Sequence, residues 1–480
     1  MSTRLSRLLL PLGLALLAFP SAQAQHAPAS SSAPWQPEHN LFGKQPTPLY
    51  RHEATLTDDQ IYTLGQLIDI AEANNPATQA AWDRARIAAA SLGIAKSELY
   101  PTIIAAAAGR AFLNPPLLYS TFVLQDIGAF ETALKLDYTL VDFGARRDEI
   151  DAARARLLAS NLTFNNQHLI LIQQVSSAYY NLLNAIGLRE AAEVNLHDAQ
   201  VVEDAVRDRK ANGLATLPDL LEARAATAKA DYELQSALGA EQTAFGDLAT
   251  VMTASPTKPF KVQELRDLII PDTLDQTVED AIEGAYQTRP DLLADIERVK
   301  AADAEVKYAR SAYYPKLDFE GSKGWLRAWG QQEKFNGTYG KTYTYDARLS
   351  LTWTVFDGFR RESRLARAKA ERDAAEHEVR EREDLIADHV WGDYANAVTA
   401  LQQRKAATSL LSASDESYSA AVESYKDGVR NILDVLSAER DLAHARAVDV
   451  TARTQVLQSF MNLAFRTGDL LTQHPKGNNP

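Results

Sequence analysis

KTYTYDARLSLTWTVFDG, Lys341 to Gly358, is the stretch that decides how the chain is read. Tyr343, Tyr345, Ala347, Leu349, Leu351, Trp353 and Val355 alternate with Thr342, Thr344, Asp346, Arg348, Ser350, Thr352 and Thr354. That period of two gives a strand one apolar and one polar face. At roughly 3.3 Å per residue, Tyr343 to Trp353 spans about 33 Å. A tilted strand of that length crosses a bilayer with aromatic rings at both water boundaries. From Asp357-Gly358 the text becomes charged and alanine-rich, without a proline, as far as Tyr425. As a helix it would reach roughly 100 Å. Few folds join a membrane strand to so long a helix.

Working outward, composition sets the bounds. The chain has 480 residues, 46% hydrophobic and 24% charged, with a mean hydropathy of -0.28. Beyond residue 24, no run approaches the about 18 apolar residues of a spanning helix, which excludes a polytopic helical membrane protein. Arg4 and Arg7, the apolar run Leu8 to Phe19 and then Ala22-Gln23-Ala24 form a secretory signal peptide over 1–24, with the mature chain starting at Gln25. Its removal takes the formal charge from -13 to -15, so nucleic acid is not an expected partner. There is no cysteine, hence no disulfide and no lipidated cysteine. An exported chain of this kind fits a bacterial envelope component built on secondary structure alone.

The chain is written twice. Residues 25–62, rich in Pro, Ser, Ala and His, read as an extended or disordered leader. From Thr63 a short amphipathic helix runs to Asn74, and a second helix follows Asn75-Pro76 and ends before Tyr100-Pro101. Strands are expected over 102–113 and 130–141, separated by a proline-containing loop. A long helix then runs from Gly144 to about Arg209, and a return helix leads from Thr216 to about Thr253. Pro76, Pro101 and Gly144 recur as Pro290, Pro315 and Gly358, each 214 residues on; Gly213, Asp219 and Phe245 recur as Gly428, Asp434 and Phe460, each 215 on. A single insertion over that distance marks an internal duplication. The repeats cover 63–253 and 277–468, joined by a proline-bearing linker over 254–276 and followed by a flexible tail over 469–480. The strands of the second copy are expected over 316–329 and 341–356.

Four strands with a lipid-like face cannot close a barrel alone, since the smallest single-chain membrane barrels use about eight. Open edges in hydrocarbon would leave backbone groups unpaired, so several chains must combine. The long helices agree. Leu365, Val379, Ile386, Val390, Val398 and Leu401 recur at steps of three, four and seven, a narrow coiled-coil seam. Helices touching along thin seams suit the wall of a tube.

The doubled series resembles the TolC-like outer membrane efflux proteins, over about Thr63 to Gly468. It comprises Asn75-Pro76 and Arg289-Pro290 before helices, Tyr100-Pro101 and Tyr314-Pro315 before strands, Val141-Asp142-Phe143-Gly144 and Phe356-Asp357-Gly358 after them, and paired glycine-containing helical turns. The resemblance implies a mainly α fold with a membrane β-barrel. Long coiled-coil hairpins form a periplasmic tunnel, and four strands per chain enter a trimeric 12-stranded barrel in outer membrane lipid. It further implies an exit duct that passively conducts small molecules or drugs, working with a periplasmic adaptor (membrane fusion) protein and an inner-membrane pump. Type I protein secretion and metal-ion efflux are the alternatives within the fold. A pore-free exported coiled-coil protein is the alternative outside it, opposed by four alternating strands placed symmetrically in both copies.

Residues of the periplasmic gate carry over by position. Asp219, Tyr425 and Arg430 match the acid, tyrosine and arginine that tie neighbouring hairpins together, a charge-assisted latch. Asp434 matches the first of two acidic positions ringing the constriction; the second falls on Ser437, a departure from a double ring. Asp219 and Asp434 also occupy first helical turns, where the helix dipole favours acids, and Arg430 also reads as a solvated loop residue. Gly213-Leu214 and Gly428-Val429 read as left-handed helix caps, and the resemblance adds that such turns touch the adaptor. Tyr343, Tyr345 and Trp353 are the expected membrane aromatic belt. Lys135, Asp137, Asp346 and Arg348 face the lumen as ordinary barrel wetting.

An enzyme is not expected. The nine histidines are scattered, none lies in His-Glu-x-x-His, and no glycine-rich phosphate loop follows a strand. Asp441-Leu442-Ala443-His444 has the carboxylate-x-x-His spacing of di-iron bundles. It occurs once, without glutamate partners, and reads as a solvated helix face. No cofactor or metal is expected.

Overall fold

The computed structural model describes residues 54 and 56–471, except 115–116, 119–120, 123–124 and 333–334; for 112–127, 331–338 and 471 it describes the backbone alone. The signal peptide, most of the leader and nearly all of the tail lie outside the described residues. In chain order the elements are β1 (Ile61–Tyr62), α1 (Leu64–Asn74), α2 (Pro76–Ser97), β2 (Thr102–Asn114), β3 (Leu117–Leu118), β4 (Thr121–Phe122), β5 (Gln125–Val141), α3 (Ala145–Ala211) and α4 (Leu217–Val251). The second copy follows as β6 (Lys261–Val262), α5 (Val278–Thr288), α6 (Pro290–Ser311), β7 (Lys316–Gln332), β8 (Phe335–Thr352), α7 (Arg360–Lys426) and α8 (Ile432–Thr467).

Helices α3 and α7 are each 67 residues long, about 100 Å at 1.5 Å per residue. Each folds back on a partner, α3 on α4 and α7 on α8. Alanine and long charged residues sustain the helices with little core, helped by pairs one turn apart such as Arg189–Glu193 at 2.7 Å and Arg367–Glu371 at 2.8 Å. The seam of α7 is built differently from the sequence expectation. Ile386 and Val390 are fully buried, but Leu365, Val379, Val398 and Leu401 are half-buried. Small residues replace them: Ala400, Ala407, Ser414 and Ala421 are buried at strict seven-residue steps, letting the helix axes approach closely in coiled-coil geometry.

Strands β2, β5, β7 and β8 form one antiparallel sheet in that order, leaving an edge of β2 and an edge of β8 without a partner among the described residues. The strands outrun the sequence boundaries at their loop ends, with β5 starting at Gln125, β7 reaching Gln332 and β8 starting at Phe335. At its other end β8 stops at Thr352, whose register partner Lys316 opens β7. The alternation through Thr354 and Val355 therefore continues beyond the ladder that would use it. Between β2 and β5 the short pair β3–β4 closes the connection.

Around the middle of the long helices sits the largest core. Leu67, Ile68 and Ala71 of α1 meet Leu169, Leu171, Val175, Tyr179 and Leu183 of α3, with Leu248 and Met252 from the end of α4 and Phe260 from the linker. The described end of the leader belongs here as extended chain: Ala54 bridges Ala254, and β1 pairs in parallel with β6. The second copy repeats the theme with Ala281, Ala285 and Leu292 against Ile386, Val390 and Leu463. Asparagine caps α2 in copy one, Asn75 Oδ1 accepting from Ala77 N at 2.8 Å. In copy two Arg289 holds that place, buried and hydrogen-bonded to Asp291 at 2.6 Å and to the Arg466 carbonyl at 3.3 Å.

Candidate functional site

The two helical turns and the faces of the sheet are where the sequence placed function. At the first turn, Gly213 has φ 74°, its N–H donates to the Lys210 carbonyl at 3.0 Å, and Leu214 N–H donates to the Arg209 carbonyl at 2.8 Å. At the second, Gly428 has φ 78°, with Gly428 N–H on the Tyr425 carbonyl at 3.0 Å and Val429 N–H on the Ser424 carbonyl at 2.9 Å. Both are left-handed caps that only glycine adopts without strain. Leu214 and Val429 are 68% and 79% exposed, so each turn presents an apolar side chain to its surroundings.

The gate residues separate into two groups. Asp219 is committed to a capping box: its Oδ2 accepts from Thr216 N at 2.7 Å and from the Thr216 hydroxyl at 2.8 Å, while Asp219 N–H donates back to Thr216 Oγ1 at 3.4 Å. Tyr425 is half-buried nearby. Burial pushes its phenol above the ordinary 10.0, the charge of Asp219 adds to the shift and the charge of Arg209 opposes it. Arg430 and Asp434 are exposed. Asp434 N–H is capped by Asn431 Oδ1 at 3.0 Å. Among the described residues the Arg430 guanidinium and the Asp434 carboxylate have no hydrogen-bond or ion-pair partner in this chain.

One residue missed from sequence joins the turns. Arg209, at the end of α3, donates from Nη1 to the carbonyls of Tyr425 and Lys426 at 3.1 and 3.2 Å, and its guanidinium lies 4.7 Å from the Tyr425 ring centroid. It gives the Lys426 carbonyl at the end of α7 a donor and adds a second donor to the Tyr425 carbonyl, which already accepts from Gly428 N–H. Its counterpart in copy two is Ser424, so the repeat gave no signal for it. Below, Val202, Val206 and Leu220 pack with Ile432, Val435 and Ala438 as a small core holding the two hairpin ends together.

On the sheet, alternation sorts charge from apolar surface. Asp137, Glu320 and Arg348 stand in one row across β5, β7 and β8, and Lys135, Ser322 and Asp346 in the next. Arg348 pairs with Glu320, and the Thr139 hydroxyl donates to Asp318 at 2.8 Å. The opposite face carries Leu134, Leu136, Phe319, Trp325, Leu349 and Leu351, and Tyr343 and Tyr345 are 80% and 87% exposed on it. Trp353 lies just past β8, where its indole N–H donates to the Tyr313 carbonyl at 3.2 Å. It anchors the strand–helix junction beside Tyr314, which stacks on Phe143 at 5.2 Å. Asp441 and His444 line a shallow groove with Lys229, Glu233 and Arg440. Among the described residues no helix is long and apolar enough to cross a membrane, and no group of three or more side chains could hold a metal ion.

A duplicated helical hairpin chain with one amphipathic four-stranded sheet is the fold of the TolC-like channels. Residues 67–254 and 281–469 each match the outer membrane efflux protein family, and the chain belongs to it. Similar proteins include outer membrane protein OprJ of Pseudomonas aeruginosa, 27% identical over 385 residues and 78% of each chain. Another is the pyoverdine export outer membrane protein OpmQ of Pseudomonas putida, 27% identical over 472 residues and 95% of each chain. A crystal structure of a membrane protein from Pseudomonas aeruginosa superposes with TM-score 0.72 at 25% identity, covering 84% of this chain and 93% of that one. The Campylobacter jejuni CmeC outer membrane channel shares the fold, with TM-score 0.70 at 20% identity over 84% and 85%. The protein is thus an efflux channel component of the bacterial outer membrane, with its long helices in the periplasm.

Proposed function

We propose that three copies close into one duct. Each four-stranded sheet supplies a third of a 12-stranded barrel, the edge of β2 on one copy pairing with the edge of β8 on the next, and the hairpins continue it as a tunnel. The observation that carries this reading is the sheet itself, apolar on one face, charged on the other and, among the described residues, unpaired at both edges, a form that hydrocarbon tolerates only when closed. The duct does no chemistry and holds no cofactor. It passes small molecules or drugs delivered by an inner-membrane pump through a periplasmic adaptor, a cargo class supported by the export role that OpmQ's name states.

The hairpin ends form the gate. Arg430, exposed and with its guanidinium unpartnered among the described residues, reaches a neighbouring copy, while Tyr425 and Asp219 form the receiving surface and Asp434 lines the constriction. Gly213-Leu214 and Gly428-Val429 are the contacts for the adaptor, offering the exposed Leu214 and Val429. Planar-bilayer recording tests the gate: Arg430→Ala is expected to raise single-channel conductance severalfold, and conductance equal to the parent would remove Arg430 from the latch.

A further inference from the structure

The apolar face of the sheet carries a charge pattern that passive wetting does not explain. Among its residues with described side chains there is no carboxylate between Gly128 and Tyr138 on β5, between Leu317 and Trp329 on β7, or between Tyr339 and Leu351 on β8. Three cations stand there instead: Lys323, Arg327 and Lys341, all exposed. Arg327 and Lys341 are direct register partners, a juxtaposition of like charges that destabilises an isolated strand pair. Among the described residues none of the three has a hydrogen-bond or ion-pair partner; Arg327 has only the Tyr339 ring, 4.7 Å from its guanidinium carbon. Aromatic rings surround them, with Phe130 opposite Arg327, Tyr345 opposite Lys323 and Trp325 opposite Tyr343.

Depth gives the pattern meaning. From Thr352, at the junction with the periplasmic helices, Lys341 is eleven residues along β8, about 36 Å along the strand and about 28 Å along the membrane normal at the usual barrel tilt. The apolar band of such barrels is about 25 Å tall, and a lipid-facing cation costs about 2–4 kcal/mol at mid-bilayer but about 0–1 at its boundary. Arg327 and Lys341 therefore sit at the outer boundary. Lys323, four register pairs lower, extends its side chain toward it.

We propose that Lys323, Arg327 and Lys341 bind the phosphate groups of a phosphorylated glucosamine lipid of the outer leaflet, the lipid A class. Arg327 and Lys341 take the phosphates, and Trp325, Tyr339, Tyr343 and Tyr345 lie along its sugars and acyl chains. The commitment to an anionic lipid rests on charge: a carboxylate-free cationic cluster ringed by apolar surface is complementary to a headgroup phosphate above acyl chains. The inference depends on the barrel reading, because it needs this face to be lipid-exposed.

Purified, detergent-solubilised protein tests it by thermophoretic titration with bis-phosphorylated lipid A, enzymatically dephosphorylated lipid A, phosphatidylglycerol and inorganic phosphate. The triple variant K323Q/R327Q/K341Q is expected to bind bis-phosphorylated lipid A at least tenfold more weakly than the parent, and Lys135→Gln, on the charged face, equally well. Lys341→Gln alone, for the case that the triple variant does not assemble, is expected to weaken binding at least threefold. Dephosphorylated lipid A should bind the parent as weakly as it binds the triple variant. Unchanged binding by the variants, equal binding of the dephosphorylated lipid, or displacement by inorganic phosphate alone would overturn the proposal. A gel shift on heating reports trimers separately: a trimer without phosphate preference contradicts this inference only, whereas a monomer contradicts the barrel.

Discussion

At Gly213 and at Gly428 the backbone makes the same left-handed cap, yet the two hairpins behind these turns are held by different chemistry. Glu203 on α3 faces Arg224 on α4 at 3.5 Å. The same positions in copy two, 215 residues on, are Tyr418 on α7 and Glu439 on α8. Hairpin one thus has an ion pair where hairpin two has a phenol beside a carboxyl. Around Glu439, Arg446 is already engaged, donating to Asp198 at 2.8 Å and to Asn195 at 2.7 Å. The Oε2 of Glu439 is left buried without a partner among the described residues. Duplication has kept the bend and exchanged the charges, so six hairpins in a trimer would alternate between two kinds.

The sharpest way to break the comparison is at Arg209, whose side chain serves the second turn while its backbone carbonyl caps the first. Arg209→Ala removes two charge-assisted hydrogen bonds and a ring contact, a local loss of about 2 kcal/mol. Amide exchange over Ser424 to Asn431 is expected to accelerate more than tenfold while that over Lys210 to Thr216 changes little. Equal acceleration in both turns would show that Arg209 merely stabilises α3.

Acidity should separate the hairpins by a smaller margin. Burial, reinforced by the charge of Asp198 and opposed by Arg446, pushes the Glu439 carboxyl up to about 7. A carboxyl raised above its ordinary 4.5 favours the packed state when protonated. That stability is complete below about pH 4.5 and is lost as the pH rises through about 7. Glu203 runs the other way: burial works to raise it, but hydrogen bonds from Thr227 and Arg207 and the charges of Arg207 and Arg224 hold it below its ordinary value, so its contribution is present above pH 4.5 and is lost in acid. Amide exchange in α8, corrected for intrinsic rates, is expected to be faster at pH 8 than at pH 5.5, and Glu439→Gln to erase the difference. An unchanged pH dependence in Glu439→Gln would assign it to another group.

Much of this was legible beforehand because it is periodic. The alternation of Tyr343 to Leu351, the glycines at matched spacing and the prolines opening α2 and α6 each state a backbone requirement that a sequence displays directly. What stayed hidden depends on contacts between distant segments. Residues 61–62 become a strand only because residues 261–262 lie beside them. Trp353 leaves the ladder because Lys316, not an earlier residue, begins the facing strand. Ala400, Ala407 and Ala421 form the α7 seam, but alanine is so common along that helix that its seven-residue steps carry no contrast. Arg209 had no repeat partner to draw attention to it, and Lys323, Arg327 and Lys341 gain meaning only when the register places all three on the apolar face.

The central claim is that one chain is an incomplete wall. Light scattering of the detergent-solubilised protein, with the detergent contribution subtracted, measures it directly. The account predicts a particle of three chain masses that falls to one after heating in dodecyl sulfate. A water-soluble particle of a single chain mass, stable without detergent, would contradict it.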